Sequence, residues 1–242
     1  MKLESLYKIF AKGKEGYWIM EPANANLIYN FIKKHPIKRV LDLGTGIGTS
    51  AAVIALALKD KGETDYHIDS VEQFDKCVKL ANKLIPEELK EHLTIHKSEA
   101  KVWQTPNIPY QYFSTYETLP EGDWDLIIND GPGPFMVDGH HIDVPNGTIT
   151  KLLEQGKIKS GAFVAWDGRL HMLKVLERYY SQNFFLYRPA QRGDDLNILE
   201  RKDSPLTFFD DKLEESRLAS YYEEDNIPSQ LTNTSSEATP TP

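Results

Sequence analysis

One stretch of about twenty residues, 39–58, constrains the fold of this chain more than any other part. It begins with an apolar run typical of a buried strand, and glycines follow at Gly44, Gly46 and Gly48. Residues 51–58 are all apolar, as in a buried helix. Glycines allow a tight turn and a close approach of ligand to backbone, and the first helical turn presents free N–H groups. The pattern predicts a strand–loop–helix unit that binds a ligand at its loop.

Strand-like and helix-like segments alternate along the rest of the chain, which predicts a mainly parallel sheet with helices on both faces. The last two strands are too close in sequence for a helical crossover, so we expect them to pair antiparallel. The predicted fold class is therefore α/β, a Rossmann-like three-layer sandwich with a mainly parallel seven-stranded sheet and a terminal antiparallel hairpin. The predicted strands are 39–43, 66–72, 93–96, 125–130, 161–167, 184–187 and 196–200, and the predicted helices are 23–34, 49–60, 75–84, 148–157 and 170–180.

Charge and composition predict three parts. We expect residues 1–36 to form a helical segment that packs on the ligand side of the main domain, which spans 37–209. Residues 210–242 form an acidic extension with eight acidic and two basic residues, so most of the net charge of −8 lies there. From about residue 226 this extension is polar and ends in prolines, which predicts disorder.

The rest of the chain is close to neutral and has no basic stripe of the kind that a phosphate backbone requires, which disfavours nucleic acid as a partner. No apolar run approaches the ~20 residues that span a bilayer. The first residues lack the features of a secretory signal, so we expect a cytoplasmic protein without a membrane partner. Cys77 is the one cysteine, and its helix-like setting predicts a core thiol. The sequence does not predict the oligomeric state.

The glycine loop resembles the nucleotide-binding motif of the class I S-adenosylmethionine-dependent methyltransferases. A dinucleotide fingerprint, G-x-G-x-x-G, has its third glycine where this chain has Thr49, and Asp42 lies two residues before the first glycine. The order and spacing of elements over residues 16–200 are similar to that family as well. The resemblance implies that Asp42 and the three glycines surround the amino-acid end of S-adenosylmethionine, which is the predicted cofactor.

Polar residues after the next two strands extend the predicted cofactor site, because ligands bind open α/β sheets beyond the carboxyl ends of the strands. A carboxylate at Glu72 can accept hydrogen bonds from both ribose hydroxyls, and the alternative is a solvated strand end. The resemblance implies that Ser98, Glu99 and Ala100 hold the adenine, although a charged loop residue at Glu99 is nearly as well supported. We include Thr49 among the cofactor-binding residues, with capping of the helix as the alternative.

Within this family the resemblance is nearest to small-molecule O-methyltransferases of the catechol type. Asp130 and Asp167 match two metal-binding aspartates of that group, which implies Mg²⁺ as a second cofactor. The third metal ligand of the group, an asparagine, is Gly168 here, and its lysine base is Gly133. We therefore favour transfer without a metal, and we keep Asp130 as a candidate catalytic residue. Its alternative role is to cap the Gly-Pro turn that follows.

His140 and His141 are further candidates for the catalytic base, since histidine titrates near neutrality. They lie in the Gly- and Pro-rich loop 131–146, which follows the fourth predicted strand, where the acceptor must bind. Long loops at such positions commonly form lids or substrate walls. The alternative is that both histidines are solvent-exposed, and a metal site with Asp138 and Asp143 would match no standard spacing.

These observations predict S-adenosylmethionine-dependent methyl transfer to a small-molecule or other non-nucleic-acid acceptor, with oxygen as the expected acceptor atom. An aminopropyltransferase, which has a similar fold and uses decarboxylated S-adenosylmethionine, is one alternative. A non-catalytic module that retains the fold is another, and measurable cofactor binding would exclude it. An NAD-dependent oxidoreductase is disfavoured by Thr49 and Asp42. The residues do not identify the acceptor.

Overall fold

A computed structural model describes residues 1–11, 19–108, 112–133, 135–137, 140–142, 145–167, 170–180, 183–191 and 196–202. Within these ranges, only the backbone is described for residues 135–137, 140–142, 167, 170–172, 177 and 185. The acidic extension 210–242, including the disorder predicted from about residue 226, lies outside the described residues. The three-part division of the chain therefore stays a prediction.

The seven predicted strands and the five predicted helices are present, with bounds that agree to within a few residues. The helices are α1 (Leu3–Ala11), α2 (Pro22–Lys34), α3 (Thr49–Asp60), α4 (Asp75–Leu84), α5 (Thr148–Glu154) and α6 (Leu170–Tyr180), with a short 3-10 helix at Glu87–Leu89. The strands are β1 (Arg39–Leu43), β2 (His67–Glu72), β3 (Leu93–Lys97), β4 (Ala100–Trp103), β5 (Phe113–Tyr116), β6 (Leu126–Asn129), β7 (Phe135–Val137), β8 (His140–Ile142), β9 (Phe163–Asp167), β10 (Phe184–Arg188) and β11 (Leu196–Arg201).

Seven strands form one sheet in the order β10-β11-β9-β6-β1-β2-β3. All neighbours are parallel except β11, which runs antiparallel to both β10 and β9. The predicted fold class is confirmed. The chain moves outward from β1 to β3 on one side and then continues on the other side of β1 with β6, so the topology switches direction at β1. Ligands of open α/β sheets bind at such a switch point.

Apolar residues cover both faces of the sheet and form two clusters. On one face α3 is buried from Thr49 to Leu58 between the sheet and the helices α1 and α2. This position explains why α3 is apolar on all sides, since a helix enclosed on every side has no solvent face. On the other face, residues of β5, α5 and α6 pack against β1, β6 and β9.

Two antiparallel hairpins were not predicted. One pairs β4 with β5 and the other pairs β7 with β8. The hairpin of β4 and β5 lies in the connection between β3 and β6, and the described part of that connection contains no helix. Its Phe113 and Tyr116 are buried in the second cluster. This hairpin therefore brings an aromatic strand to the face of the sheet beside β1 and β2.

Among the described residues, no helix has both the length and the apolar character that crossing a membrane would require.

Candidate cofactor and acceptor site

A cavity of about 350 Å³ opens at the carboxyl ends of β1, β2 and β6. Three chain segments form most of its wall: the glycine loop after β1, the residues that follow β2, and the turn from Asp130 to Gly133 after β6. Five further residues complete the described wall: Ile19 and Met20, which precede α2, Ser50 of α3, Cys77 of α4 and Tyr116 of β5. The cavity therefore lies at the topological switch point of the sheet, and we call it the switch-point cavity.

The glycine loop and the turn after β6 are in direct backbone contact. The Leu43 carbonyl accepts hydrogen bonds from the N–H groups of Asp130 (2.8 Å) and Gly131 (2.7 Å). A Cβ atom on Gly44, whose φ is +99°, would lie 2.7 Å from the nitrogen of Gly131. Two backbones can approach this closely only without a side chain between them. Gly44 therefore joins the predicted cofactor loop to the predicted acceptor turn.

The other two glycines of the loop have different roles. Gly48 has a φ of +101°, and a Cβ atom there would lie 2.8 Å from the side chain of Ile85 at the end of α4. The missing side chain lets α3 begin against that residue. The N–H of Gly46 instead donates to the Glu72 carboxylate at 2.8 Å, which ties the loop to the end of β2.

The Asp42 carboxylate, near the end of β1, is buried, does not line the cavity, and belongs to a chain of buried hydroxyl groups. Its Oδ2 accepts hydrogen bonds from Ser50 (2.8 Å) and Ser70 (2.6 Å), and the hydroxyls of Ser70 and Thr45 are 2.6 Å apart. Because Ser70 has one proton and gives it to Asp42, Thr45 is the donor to Ser70. Thr45 and Ser50 also line the cavity. The network therefore fixes the orientation of Asp42 relative to the loop.

The second oxygen of Asp42 has no hydrogen-bond partner among the described residues, although the residue is fully buried. Burial raises the pKa of Asp42 to about 6, two serine hydrogen bonds oppose the rise, and the charges of Asp130 and Glu72 add to it. Ten buried side-chain polar atoms of the described residues lack a partner, and this oxygen is the one among them that belongs to a carboxylate, whose burial costs free energy. An ammonium group would supply both the donor and the opposite charge.

Glu72, at the end of β2, is buried and lines the cavity. Its two carboxylate oxygens accept hydrogen bonds from the N–H groups of Gly46 and Phe74, both at 2.8 Å. Burial is the main cause of its raised pKa, backbone hydrogen bonds counter the rise, and Asp130 adds to it. A backbone hydrogen bond from Gln73 also acts on this carboxylate, so the chain uses most of its acceptor capacity and the rest is left for a ligand. Asp42, Glu72 and Asp130 therefore influence one another around the cavity.

Several lining residues were not predicted from the sequence. Gln73 and Phe74 directly follow Glu72, and Phe74 keeps 40% of its surface exposed at the start of α4. Both could have been predicted from the sequence, because they directly follow a carboxylate at the end of a strand. Cys77 is buried, as the predicted core thiol would be, and it also lines the cavity. Tyr116 could not be predicted in this way, because it reaches the cavity from the hairpin of β4 and β5.

Six residues that were predicted to bind the cofactor are absent from the described cavity wall, namely Asp42, Gly48, Thr49, Ser98, Glu99 and Ala100. Ser98 accepts a hydrogen bond from the Thr118 N–H at 3.0 Å, Glu99 is exposed, and Ala100 begins β4. Thr49 is buried in the first turn of α3, and its hydroxyl has no hydrogen-bond partner. Their roles in binding adenine or the cofactor stay predictions.

On the acceptor side, Asp130 lines the cavity, and the N–H of Gly133 donates to the Gln73 side chain at 2.8 Å. His140 and His141 belong to β8, where only the backbone is described. Asp167 ends β9, and its side chain is not described either. Three further residues that were considered, Asp138, Asp143 and Gly168, lie outside the described residues. Their catalytic and metal-binding roles stay predictions.

Across the described residues, no group of three or more His, Cys, Asp and Glu side chains is arranged to hold a metal ion. This finding does not include the side chains of His140, His141 and Asp167. A Mg²⁺ site shared by Asp130 and Asp167 therefore stays untested.

Asn146 closes the base of the acceptor loop and was missed by the sequence reasoning. The residue is buried, and its amide nitrogen donates to the Gly131 carbonyl and, at 3.3 Å, to Asn129 Oδ1. Its side-chain oxygen accepts from the Thr148 N–H at 2.9 Å at the start of α5. One side chain thus holds both ends of the loop 131–146. No local pattern marks such a contact, because its partners are up to 17 residues away.

A family model described as protein-L-isoaspartate(D-aspartate) O-methyltransferase matches residues 10–121, a little under half of the chain. No curated protein gives a significant match when sequences are compared.

Solved structures share the fold at low identity. A methyltransferase from Podospora anserina, bound to S-adenosylhomocysteine, is 14% identical with a TM-score of 0.57, over 83% of this chain and 87% of that chain. The O-methyltransferase TomG from Streptomyces achromogenes, in complex with S-adenosylmethionine, is 14% identical with a TM-score of 0.53, over 83% and 90%. A Bacillus cereus O-methyltransferase bound to S-adenosylhomocysteine is 13% identical with a TM-score of 0.52, also over 83% and 90%.

The similar solved structures confirm the fold that was predicted from the sequence, and the family model matches part of the chain. The chain has the fold of the class I S-adenosylmethionine-dependent methyltransferases, and its matches are methyltransferases.

Proposed function

We propose that this protein transfers a methyl group from S-adenosylmethionine to an oxygen atom of a small-molecule acceptor. The observation that carries the proposal is the buried Asp42, which has an oxygen without a partner among the described residues and accepts a hydrogen bond from Ser50, a residue that lines the switch-point cavity. The oxygen acceptor is supported by the matched family and by two of the similar solved structures, which are O-methyltransferases.

The residues around the switch-point cavity have the chemistry that this cofactor needs. Asp42 offers its free oxygen to the ammonium group, and Glu72 offers its remaining lone pairs to the ribose hydroxyls. Phe74 provides an exposed aromatic ring beside Glu72 on which adenine can stack. The bound cofactor supplies an activated methyl group, and the residues of the chain bind and orient the two reactants.

On the acceptor side, Asp130 is the described residue best placed to act on an acceptor hydroxyl. It follows β6 and lines the cavity. The turn that begins with it is held by hydrogen bonds to the Leu43 carbonyl and from the Asn146 side chain. A carboxylate there accepts the hydroxyl proton as the acceptor oxygen loses it. The predicted roles of His140 and His141 as alternative bases belong to this proposal as well.

A methyl-transfer assay with S-[methyl-³H]adenosylmethionine tests the proposal. The acceptor panel contains a catechol, a simple phenol, a carboxylic acid and an isoaspartyl peptide, and a separate reaction supplies decarboxylated S-adenosylmethionine with putrescine. We expect radioactive methyl groups on an oxygen of one of the small-molecule acceptors. Transfer only to the isoaspartyl peptide would contradict a small-molecule acceptor, and aminopropyl transfer to putrescine without methyl transfer would favour the aminopropyltransferase alternative.

The Asp42→Asn variant tests the role of Asp42 in the same assay. It keeps the size of the side chain and removes its charge, so it should lose labelled product together with cofactor binding. A wild-type protein that shows no binding of S-adenosylmethionine by calorimetry would contradict the proposal and would support a non-catalytic module.

A further inference from the structure

The backbone on either side of Asn146 is attached to β5. The N–H of Ser114 donates to the carbonyl of Pro145 at 2.8 Å, and the N–H of Gly147 donates to the carbonyl of Ser114 at 2.9 Å. A Cβ atom on Gly147 would lie 2.6 Å from the side chain of Phe113, so the backbone after Asn146 packs directly against the strand. The position of Asn146 is therefore set by a strand that also contributes to the wall of the switch-point cavity.

The side-chain amide of Asn146 has one orientation, and both of its protons are used. Its oxygen accepts from the N–H of Thr148 at 2.9 Å, so the other terminal atom is the nitrogen, which has two protons. One proton is donated to the carbonyl of Gly131 and the other to Oδ1 of Asn129, at 3.3 Å. Asn146 therefore connects β5 to the turn after β6 through two donors that an apolar side chain lacks.

The backbone around Gly131 is enclosed on its other sides by the glycine loop and by Tyr116. Its N–H donates to the Leu43 carbonyl at 2.7 Å, and a Cβ atom on Gly131 would overlap the Tyr116 hydroxyl and lie 2.7 Å from the Cα of Gly44. Gly44 is a predicted cofactor residue, whereas Asn146 does not line the cavity. The contact made by Asn146 can therefore be removed without changing a residue that is predicted to bind the cofactor.

We propose that Asn146 is a positioning residue for methyl transfer, because it holds the turn from Asp130 to Gly133 in one place relative to the glycine loop. This inference rests on the proposed function. Methyl transfer depends on the distance and angle between the two reactants, and a displacement of about 1 Å can cost ~10²-fold in rate. Loosening the turn should therefore lower the rate of transfer, whereas the affinity for the cofactor should stay the same.

The variant Asn146→Ser separates the two contacts of this side chain. Its hydroxyl keeps an acceptor for the N–H of Thr148, in the local turn that serine also forms, and it removes the two amide donors. Asn197→Ser is the matched control. Asn197 is fully buried on β11, its oxygen accepts from the N–H of Ala190 at 3.0 Å, and its nitrogen has no hydrogen-bond partner among the described residues. The same substitution there removes no donor from the turn.

Both variants are compared with the wild-type protein in the methyl-transfer assay, with the acceptor that is methylated in that assay, and by calorimetry with S-adenosylhomocysteine. We expect Asn146→Ser to lower kcat by ~10-fold or more, with a smaller change in the KM of the acceptor and an unchanged affinity for S-adenosylhomocysteine. Asn197→Ser should change none of these quantities. An unchanged kcat or weaker binding of S-adenosylhomocysteine in a folded Asn146→Ser, or equal losses in the two variants, would overturn the inference.

Asn146→Asp replaces the first variant if Asn146→Ser does not fold, since the carboxylate keeps the size of the side chain and an acceptor for Thr148 but has no amide donors. Hydrogen exchange is the second measurement. The N–H groups of Asp130 and Gly131 should exchange faster in the Asn146 variant than in Asn197→Ser, and equal rates would contradict the inference. A wild-type protein that methylates no acceptor would instead contradict the proposed function, and the exchange rates would still decide whether Asn146 holds the turn.

Discussion

Carboxylates at the two ends of the parallel sheet are held in opposite ways. At the amino end, Asp125 Oδ1 pairs with the Lys159 ammonium at 2.7 Å, and its Oδ2 accepts from the N–H groups of Lys38 (2.8 Å) and Arg39 (2.9 Å). At the carboxyl end, Asp42 accepts hydrogen bonds from two serine hydroxyls and leaves one oxygen without a partner. The first carboxylate is satisfied by its own chain, and the second is not.

The pKa values of the two aspartates shift in opposite directions, in line with this difference in partners. Burial alone would raise the pKa of Asp125, but the Lys159 ammonium and the two backbone N–H groups lower it overall. For Asp42, burial and two neighbouring carboxylates raise the pKa to about 6. The folded state therefore favours the charge of Asp125 and disfavours the charge of Asp42. The comparison indicates that Asp125 stabilises the fold, and it supports the proposal that Asp42 serves a ligand.

Adding a methyl group at Gly44 should cause the largest change at the carboxyl end. The new Cβ atom of Gly44→Ala would lie 2.7 Å from the Gly131 nitrogen, so the cofactor loop and the acceptor turn must separate. We expect no measurable binding of S-adenosylmethionine by calorimetry and a loss of about 3 kcal/mol in the free energy of unfolding, measured with urea.

Gly62→Ala is the matched control for that experiment. Gly62 has a comparable φ of +80°, but a Cβ atom there meets nothing within 4 Å. This change isolates the backbone strain and should cost about 1 kcal/mol without affecting the cofactor. Equal effects of the two substitutions would show that the contact between Gly44 and Gly131 has no special role.

Asp130→Asn should separate a charged role of Asp130 from a capping role. The amide keeps the shape and the hydrogen-bonding capacity of the side chain but removes its charge. With an acceptor identified, we expect the rate at saturating cofactor to fall ~10²-fold, the usual scale for a lost acid–base group. Preserved activity would favour the alternative that Asp130 only caps the Gly-Pro turn. Adding a chelator should leave wild-type activity unchanged, and activity restored by Mg²⁺ would contradict transfer without a metal.

Neutralising the two aspartates should change stability in opposite directions. Asp42 has a raised pKa, so its contribution to stability is complete below its unfolded pKa near 4 and is lost as the pH rises through about 6. Asp42→Asn should therefore raise the free energy of unfolding at pH 7.5, by about 2–3 kcal/mol, and the gain should shrink as the pH falls towards 4.

Asp125 has a lowered pKa, so its contribution is present above its unfolded pKa and is lost as the pH falls through the folded value. Asp125→Asn should lower the melting temperature at pH 7.5, and this loss should vanish in strong acid. Thermal unfolding between pH 3 and 8 measures both effects. Destabilisation by both substitutions at pH 7.5 would remove the distinction between the two ends of the sheet.

Removing residues 227–242 should have the smallest effect. This segment is polar, proline-terminated and poor in apolar residues, so it has little surface to bury in a core. We expect the melting temperature and the cofactor affinity to stay unchanged. A clear fall in either quantity would show that the acidic extension packs on one end of the sheet, and that the predicted boundary is wrong.

The sheet was predictable because its signals are local. Apolar runs, helical periods and the glycine spacing each occupy a few consecutive residues, and together they define the order of elements. The hairpin of β4 and β5 was not predictable in this way. Its strands are only four residues long and are separated by nine residues, which include two prolines. Tertiary packing of Phe113 and Tyr116 against the sheet, rather than local pattern, explains this hairpin.

The residues of the candidate site show the same difference between local patterns and long-range contacts. The strand-end carboxylates Asp42 and Glu72 were predicted, because their positions follow from the strands that carry them. Tyr116 and Asn146 were missed, since each reaches the site through contacts with residues distant in the sequence. The prediction for Ser98 did not anticipate that its hydroxyl is bonded to Thr118. Local spacing therefore predicted four residues that line the cavity, Gly44, Gly46, Glu72 and Asp130, and their roles in binding stay predictions.

The pH dependence of cofactor affinity tests the central claim most directly, namely that Asp42 is kept at the carboxyl end of β1 to bind a cation. Calorimetric titration of the wild-type protein with S-adenosylmethionine between pH 5 and pH 7 should show affinity rising roughly tenfold, as the Asp42 carboxyl loses its proton near pH 6. Above that pH the affinity should level off. An affinity that stays constant over this range, or an absence of binding at pH 7, would contradict the account.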